Sequence, residues 1–271
     1  MLAALSPARR RLVLGVLALV VAAVVAIVVV LVVGRSTADD DEATGTVPQD
    51  DLGPVLLVPG YGGTVDSLDA MAQALRDAGR DVTVVELPHG GVGALEDTAA
   101  VLAQDAAAAM TRTGKASVDV VGYSAGGVAA RYWIAHGGAT QVRRIVTVSS
   151  PHHGSTLSDA AAEVGFGACG DGCRELSAGS DFLAQLNSGD ETPAGPTWVS
   201  LWTTTDDTVL PPESAVLEGA LDISVQSVCA DATPGHGRMK SDPVVLAMVV
   251  AELASPDPVQ LGPDDCTRLG G

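Results

Sequence analysis

The stretch VDVVGYSAGGVAARYW, Val118–Trp133, passes from a largely apolar run into an alanine-rich amphipathic pattern, with three glycines and one serine at the junction. A short run apolar on both faces reads as a buried strand, and the pattern after it as a helix. The junction is therefore a sharp strand-to-helix turn with a hydroxyl on its tip.

Outward from this unit the same alternation recurs. Strands are expected at Val55–Val58, Val82–Leu87, Arg144–Ser149, Trp198–Thr203 and Ile223–Val228, besides Val118–Gly122. Helical spacing appears in Ser67–Gly79, where Leu68, Met71, Ala72 and Leu75 fall at i, i+3, i+4 and i+7, and in Leu95–Met110 and Val128–His136. Strands that alternate with helices imply parallel pairing in an open α/β sheet, whose ligand lies at the carboxyl ends of the strands. The residues just after each strand are the ones to search.

The chain has 271 residues, enough for one sizeable catalytic domain, and carries 33 acidic against 15 basic side chains for a net charge of -18. That balance argues against a surface tracking nucleic-acid phosphates, and 3% aromatic content argues against stacking platforms for bases. At the N-terminus Arg9, Arg10 and Arg11 precede an uncharged apolar run, Leu12–Val33, and Asp39, Asp40, Asp41 and Glu42 lie beyond it. The run is long enough for a bilayer, and the positive-inside rule keeps the arginines cytoplasmic. The expected organisation is a cytoplasmic stub at 1–11, a transmembrane helix at 12–33, a polar linker at 34–53 and an extracytoplasmic catalytic domain at 54–271. The rival is secretion after signal cleavage, but the apolar core exceeds that of an ordinary signal peptide. Export permits disulfides among Cys169, Cys173, Cys229 and Cys266. Cys169 and Cys173 enclose only GDG, which leaves Cys229 to tie down the tail through Cys266. A zinc site is the weaker reading, for lack of paired CxxC spacing and partnering histidines.

Gly122-Tyr123-Ser124-Ala125-Gly126 is a GxSxG sequence in the strand-turn-helix context that gives it meaning. The turn isolates the Ser124 hydroxyl, and the N-terminus of the next helix offers the Ala125 N–H to a developing oxyanion. The plainer reading, a helix N-cap with glycines for close packing, loses ground to the glycine-rich loop LLVPGYGGT, Leu56–Thr64, after the first strand. There the Tyr61 N–H becomes the second donor. This loop has neither GxGxxG spacing nor a Walker lysine, so a phosphate cradle is the weaker reading.

VPGYGG, GYSAGG, SSPHHGS, FLAQLNSGDETP, WTTTDDTVLPPESA and the late GHG together resemble the α/β-hydrolase superfamily, and within it bacterial class 2 lipases and esterases, over roughly Pro54–Leu253. Pro59-Gly60 stands where His-Gly is commoner. The resemblance implies a minimal α/β-hydrolase with a mostly parallel sheet of about six strands and helices on both faces, following the N-terminal helix. It also implies carboxylic-ester hydrolysis by a Ser, Asp, His triad with no cofactor and no metal, acting on a neutral acyl ester or lipid.

Five histidines compete as general base. His136 ends a helix on the far side; His89, His152 and His153 follow strands; His236, in the glycine-flanked TPGHGRM, follows the last strand and completes the order Ser, Asp, His. The resemblance selects His236 as well. Asp206 and Asp207 follow the fifth strand, and neighbouring side chains on extended backbone point apart, so only one can face the imidazole. Asp206, nearer the sheet edge, is the expected acid. Residues 155–196, too long for a bare connection, hold either a small cap or a crossover helix. An acyltransferase with the same triad, or a non-catalytic surface domain, are the alternative functions.

Overall fold

Val55, Leu56, Leu57 and Val58 are all buried, and alternate side chains enter different layers. Val55 and Leu57 join one apolar cluster, Leu56 and Val58 another. That two-residue period, with both faces apolar, is what a sheet covered by helices on each side requires.

The computed structural model describes residues 47–159 and 169–271. Six strands form one sheet: β1 (Val55–Val58), β2 (Val82–Val84), β3 (Val118–Tyr123), β4 (Val142–Val148), β5 (Thr197–Trp202) and β6 (Leu221–Ser224). Their order is β2-β1-β3-β4-β5-β6 and every pairing is parallel. Helices α1 (Asp69–Asp77), α2 (Leu95–Thr113) and α3 (Ala125–Trp133) follow the first three strands. Short helices α4 (Asp171–Glu175) and α5 (Asp181–Leu186) lie between β4 and β5, a helical turn α6 (Val225–Val228) follows β6, and α7 (Pro243–Ala254) closes the domain. Met71 and Leu75 of α1 and Val245, Met248 and Val249 of α7 cover one face, with Leu102 and Ala106 of α2 and Ala130 and Trp133 of α3 on the other.

The last strand is shorter than its apolar sequence implies. Ser224 accepts a hydrogen bond from the Ser227 N–H at 3.1 Å and so starts a helical turn where Val225–Val228 was expected to continue the strand. Asp242 caps α7 in the same way, accepting from Val244 N–H at 3.0 Å, with Pro243 at the first helical position.

The two expected disulfides are present, Cys169–Cys173 and Cys229–Cys266. The second joins the turn α6 to the tail beyond α7. The expected stub and transmembrane helix, and most of the linker, lie outside the described residues. Among the described residues no helix is long and apolar enough to cross a membrane.

The amino-terminal edge of the sheet is fastened by buried charge. Asp119, at the start of β3, accepts two hydrogen bonds from Arg143, both at 2.7 Å, and one from Arg80 at 2.5 Å. The same two guanidiniums donate to Leu253 O, at 3.0 Å each, and Arg144 donates to Ser255 O and Pro256 O at 2.8 Å. Three cations thus cap the carboxyl end of α7, where the helix dipole favours them. Asp119 belongs to the scaffold.

Candidate active site

At the other edge of the sheet, β3 ends in a turn whose tip is Ser124. Its backbone lies at φ 54 and ψ -126, outside the ordinary region for a residue with a side chain. Such a conformation costs on the order of 1–3 kcal/mol and persists only where neighbours enforce it. A Cβ on Gly122 would strike Gly127, and one on Gly126 would strike the carbonyl oxygens of Val58 and Pro59. Only glycine lets β3, α3 and the loop after β1 close on one another. Ser124 N–H donates to Val148 O at 2.9 Å, which ties the strained residue to the neighbouring strand.

The Ser124 Oγ stands 3.0 Å from His236 Nε2, and His236 Nδ1 stands 3.0 Å from Asp206 Oδ2. The carboxylate can only accept, so Nδ1 carries the ring proton and Nε2 is left to accept from the serine hydroxyl. Asp206 and His236 are buried at 7% exposure each, so the pair is shielded from competing water. Burial raises the Asp206 pKa, but the His236 hydrogen bond and charge and the Thr208 and Val209 N–H groups outweigh it, and the net shift is downward. Those two N–H groups hold Oδ1 at 2.9 and 2.8 Å, leaving Oδ2 for the imidazole.

The structure thus brings together Ser124, Asp206 and His236. Ala125 N–H opens α3 and has no acceptor within the helix. Tyr61 lies across the site: a Cβ on Gly60 would stand 3.0 Å from Ser124 Cβ, so the loop backbone presses directly on the serine. The Tyr61 hydroxyl accepts from Gly170 N–H at 2.8 Å, beside the Cys169–Cys173 disulfide, which fastens the loop from outside.

The other histidines are held elsewhere. His136 Nδ1 is 2.8 Å from Tyr132 O at the end of α3, and His89 is exposed, 3.4 Å from Asp97. His153 pairs with Glu191 at 2.8 Å. His152 is fully buried against Thr147, and burial, with Arg131 and His153 adding to it, drives its pKa far below the ordinary value. The segment SSPHHGS serves as a brace, since Ser155 Oγ donates to Thr208 O at 2.7 Å and accepts from Leu210 N–H at 3.1 Å.

Three positioning residues have no counterpart in the sequence reading. Asp207 accepts from His236 N–H at 3.1 Å, and Tyr123 donates its hydroxyl to His236 O at 3.0 Å, so the backbone of His236 is held on both sides. Gln226, on the turn α6, accepts from Thr204 N–H at 2.9 Å and donates to Thr203 Oγ1 and Ala232 O, also at 2.9 Å. It joins the Asp206 loop to the approach to His236. Reading residues 223–228 as strand hid it.

Two cavities meet at Ser124. One, of about 230 Å³, is walled by Pro151, Leu157, Cys173, Leu176 and Val209. The other, of about 380 Å³, contains His236 and is lined by Thr64, Ser67, Tyr123 and Lys240 with the glycines of the Tyr61 loop. The described part of residues 155–196 packs Leu176, Leu183 and Leu186 against α3 and also supplies the wall of the first cavity.

This sheet and turn have the architecture of an α/β-hydrolase, a class of fold that hosts many reactions. The class 2 lipase family model matches residues 107–246, just over half of the chain, and the chain belongs to that family. Aspergillus fumigatus lipase B superposes with a TM-score of 0.64 at 18% identity, covering 84% of this chain and 62% of that one. The mature form of Bacillus licheniformis lipase BlEst2 superposes with a TM-score of 0.56 at 21% identity, covering 68% of this chain and 86% of that one. At these identities the likeness is one of fold, and the chain spans less than two thirds of the Aspergillus enzyme. No curated protein matches the chain in sequence.

Proposed function

We propose that this protein hydrolyses carboxylic esters through an acyl-enzyme on Ser124, with His236 as general base and acid and Asp206 as the orienting carboxylate. The observation that carries the reading is the unbroken chain Ser124 Oγ, His236 Nε2, His236 Nδ1, Asp206 Oδ2, with 3.0 Å at each hydrogen bond. His236 accepts the hydroxyl proton as Oγ bonds to the ester carbon, and Asp206 stabilises the imidazolium. The carbonyl oxygen becomes an oxyanion that the N–H groups of Tyr61 and Ala125 receive. Collapse breaks the bond to the alcohol oxygen, which takes the proton from His236 Nε2. Water, deprotonated by the same nitrogen, then releases the acid and restores Ser124.

The proton route assigns the two cavities. Because His236 protonates the leaving alcohol, the alcohol belongs in the cleft that contains His236, and the acyl chain in the apolar cavity walled by Leu157, Leu176 and Val209. Leu157, one of the exposed large apolar side chains among the described residues, lines the first cavity, and Val65 follows the cleft-lining Thr64; both suit an aggregated lipid. Two disulfides and the apolar run at 12–33 support a catalytic domain on the outer side of the cytoplasmic membrane, tethered by its N-terminus.

A fluorophosphonate probe tests the nucleophile. Ser124 should carry the label in peptide mapping, and Ser124→Ala should abolish both labelling and ester turnover. Labelling of a different serine in folded protein sinks the proposal.

A further inference from the structure

We propose that the leaving-group cleft is an anion subsite built on Lys240, and that the preferred substrates are acyl esters whose alcohol half carries a phosphate or carboxylate. The inference rests on the ester-hydrolase reading above and goes further by naming the chemistry of the alcohol.

The chain carries a net charge of -18, yet no carboxylate lines the cleft among the described residues. Its charged side chain is Lys240, and among the described residues Lys240 has no ion-pair partner. The ammonium lies 5.7 Å above the centre of the Tyr123 ring, whose centroid is 5.2 Å from that of His236. One aromatic ring thus neighbours both the cation and the histidine beside the serine. Tyr123 does not neutralise the lysine: burial and the charges of Asp206 and Asp207 raise its pKa, so the phenol keeps its proton and spends it on His236 O.

Lys240 is also held at its base. Met239 beside it is fully buried, and Asp242, two residues on, caps α7. The half-buried side chain lines the cleft together with Thr64, whose side chain carries a hydroxyl. A cation and a hydroxyl facing a leaving alcohol suit an anion attached a few bonds from the ester oxygen. Among the described residues the apolar cavity on the acyl side is lined by no charged side chain. The two halves of the substrate are thus sorted by charge as well as by shape.

The test is hydrolysis of 1-octanoylglycerol, its 3-phosphate and the octanoyl ester of glyceric acid by the full-length chain, below their aggregation limits. The wild type should favour the anionic esters in kcat/KM, and the preference should shrink as salt rises. Lys240→Met should lower the anionic-to-neutral ratio by about five- to tenfold, with Lys240→Arg restoring most of it. Preference for the phosphate alone assigns that anion, and preference for both charged esters assigns a general anion site. Equal turnover of the three esters by the wild type, or a preference that survives Lys240→Met and high salt, overturns the subsite while leaving the hydrolase intact. Failure to hydrolyse any of the three overturns both. The salt dependence of the wild type reads the same interaction without a variant, so poor folding of Lys240→Met does not shield the proposal.

Discussion

Asp119 and Asp206 are both buried aspartates at strand ends of one sheet, and their surroundings differ in kind. Asp119, at the amino edge, is enclosed by the guanidiniums of Arg80 and Arg143, which also grip the end of α7. Asp206, at the carboxyl edge, has one oxygen pinned by two backbone N–H groups and the other committed to the His236 imidazole. Permanent cations around a buried carboxylate make a clamp that holds one charge state. An imidazole beside a buried carboxylate can take up a proton and hand it on. On the proposed mechanism, Asp119 serves as a fixed clamp while the carboxyl edge changes charge during turnover.

Substitution at the two aspartates should separate these roles. Asp206→Asn keeps the shape but disturbs the tautomer of His236, and turnover should fall by up to about ten-thousandfold, the loss known for the corresponding change in the serine protease triad. Thermal unfolding should shift little by comparison. A folded Asp206→Asn enzyme with near-normal kcat erases the contrast.

Asp119→Ala should do the reverse. It leaves two buried guanidiniums without their counter-ion, and breaking a buried ion pair costs about 3–5 kcal/mol. Denaturant unfolding should report that loss, while the active-site titre of the folded fraction keeps its kcat. A variant of unchanged stability with lost turnover places Asp119 in the chemistry instead.

The amino edge also carries a titration of its own. Glu252, near the end of α7, is fully buried, and burial pushes its pKa from 4.5 up to about 7 against the Val259 N–H and Arg144, which pull it down. Between those values the unfolded chain releases a proton that the folded chain keeps, so this group makes stability fall as pH rises from about 4.5 to about 7. The window amounts to roughly 3 kcal/mol in total. Glu252→Gln should flatten that part of the stability profile, and comparing urea midpoints of the two proteins at pH 5 and pH 8 measures it. Parallel profiles for wild type and variant refute the assignment.

How much of this was legible in the sequence follows from which interactions are local. The turn at Ser124 was readable because a strand, glycines at fixed offsets and a helix lie within sixteen residues, and each makes a local demand on the backbone. The order of β1 to β6 along the chain was readable from apolar runs, but the end of β6 was not, because Ser224 ends it through a cap that leaves hydropathy unchanged. Gln226 and Lys240 were not legible at all. Their parts depend on contacts with Thr203, Ala232 and Tyr123, which only the folded sheet brings near. The clamp around Asp119 was invisible for the same reason: Arg80 and Arg143 lie 39 and 24 residues away from it.

The smallest expected effect belongs to Asp207, the immediate neighbour of Asp206. Its side chain is exposed, and its contact with the site is the hydrogen bond from His236 N–H at 3.1 Å, which positions the backbone of the histidine and not its ring. Asn presents an acceptor oxygen of the same reach, so Asp207→Asn should retain kcat/KM to within about threefold, the change expected when a solvent-screened contact loses its charge but keeps its acceptor. Asp207→Ala removes the acceptor and should lose more, about five- to tenfold, since a typical hydrogen bond contributes about 1 kcal/mol. Tyr123 still holds His236 O from the other side, which limits the damage. The pH profile of kcat/KM distinguishes the two aspartates further: loss of a positioning contact lowers it evenly, whereas loss of the orienting carboxylate changes its shape. If Asp207→Asn proves as inactive as Asp206→Asn in folded protein, the neighbouring carboxylates share the imidazole, and the division of labour drawn from their hydrogen bonds is wrong.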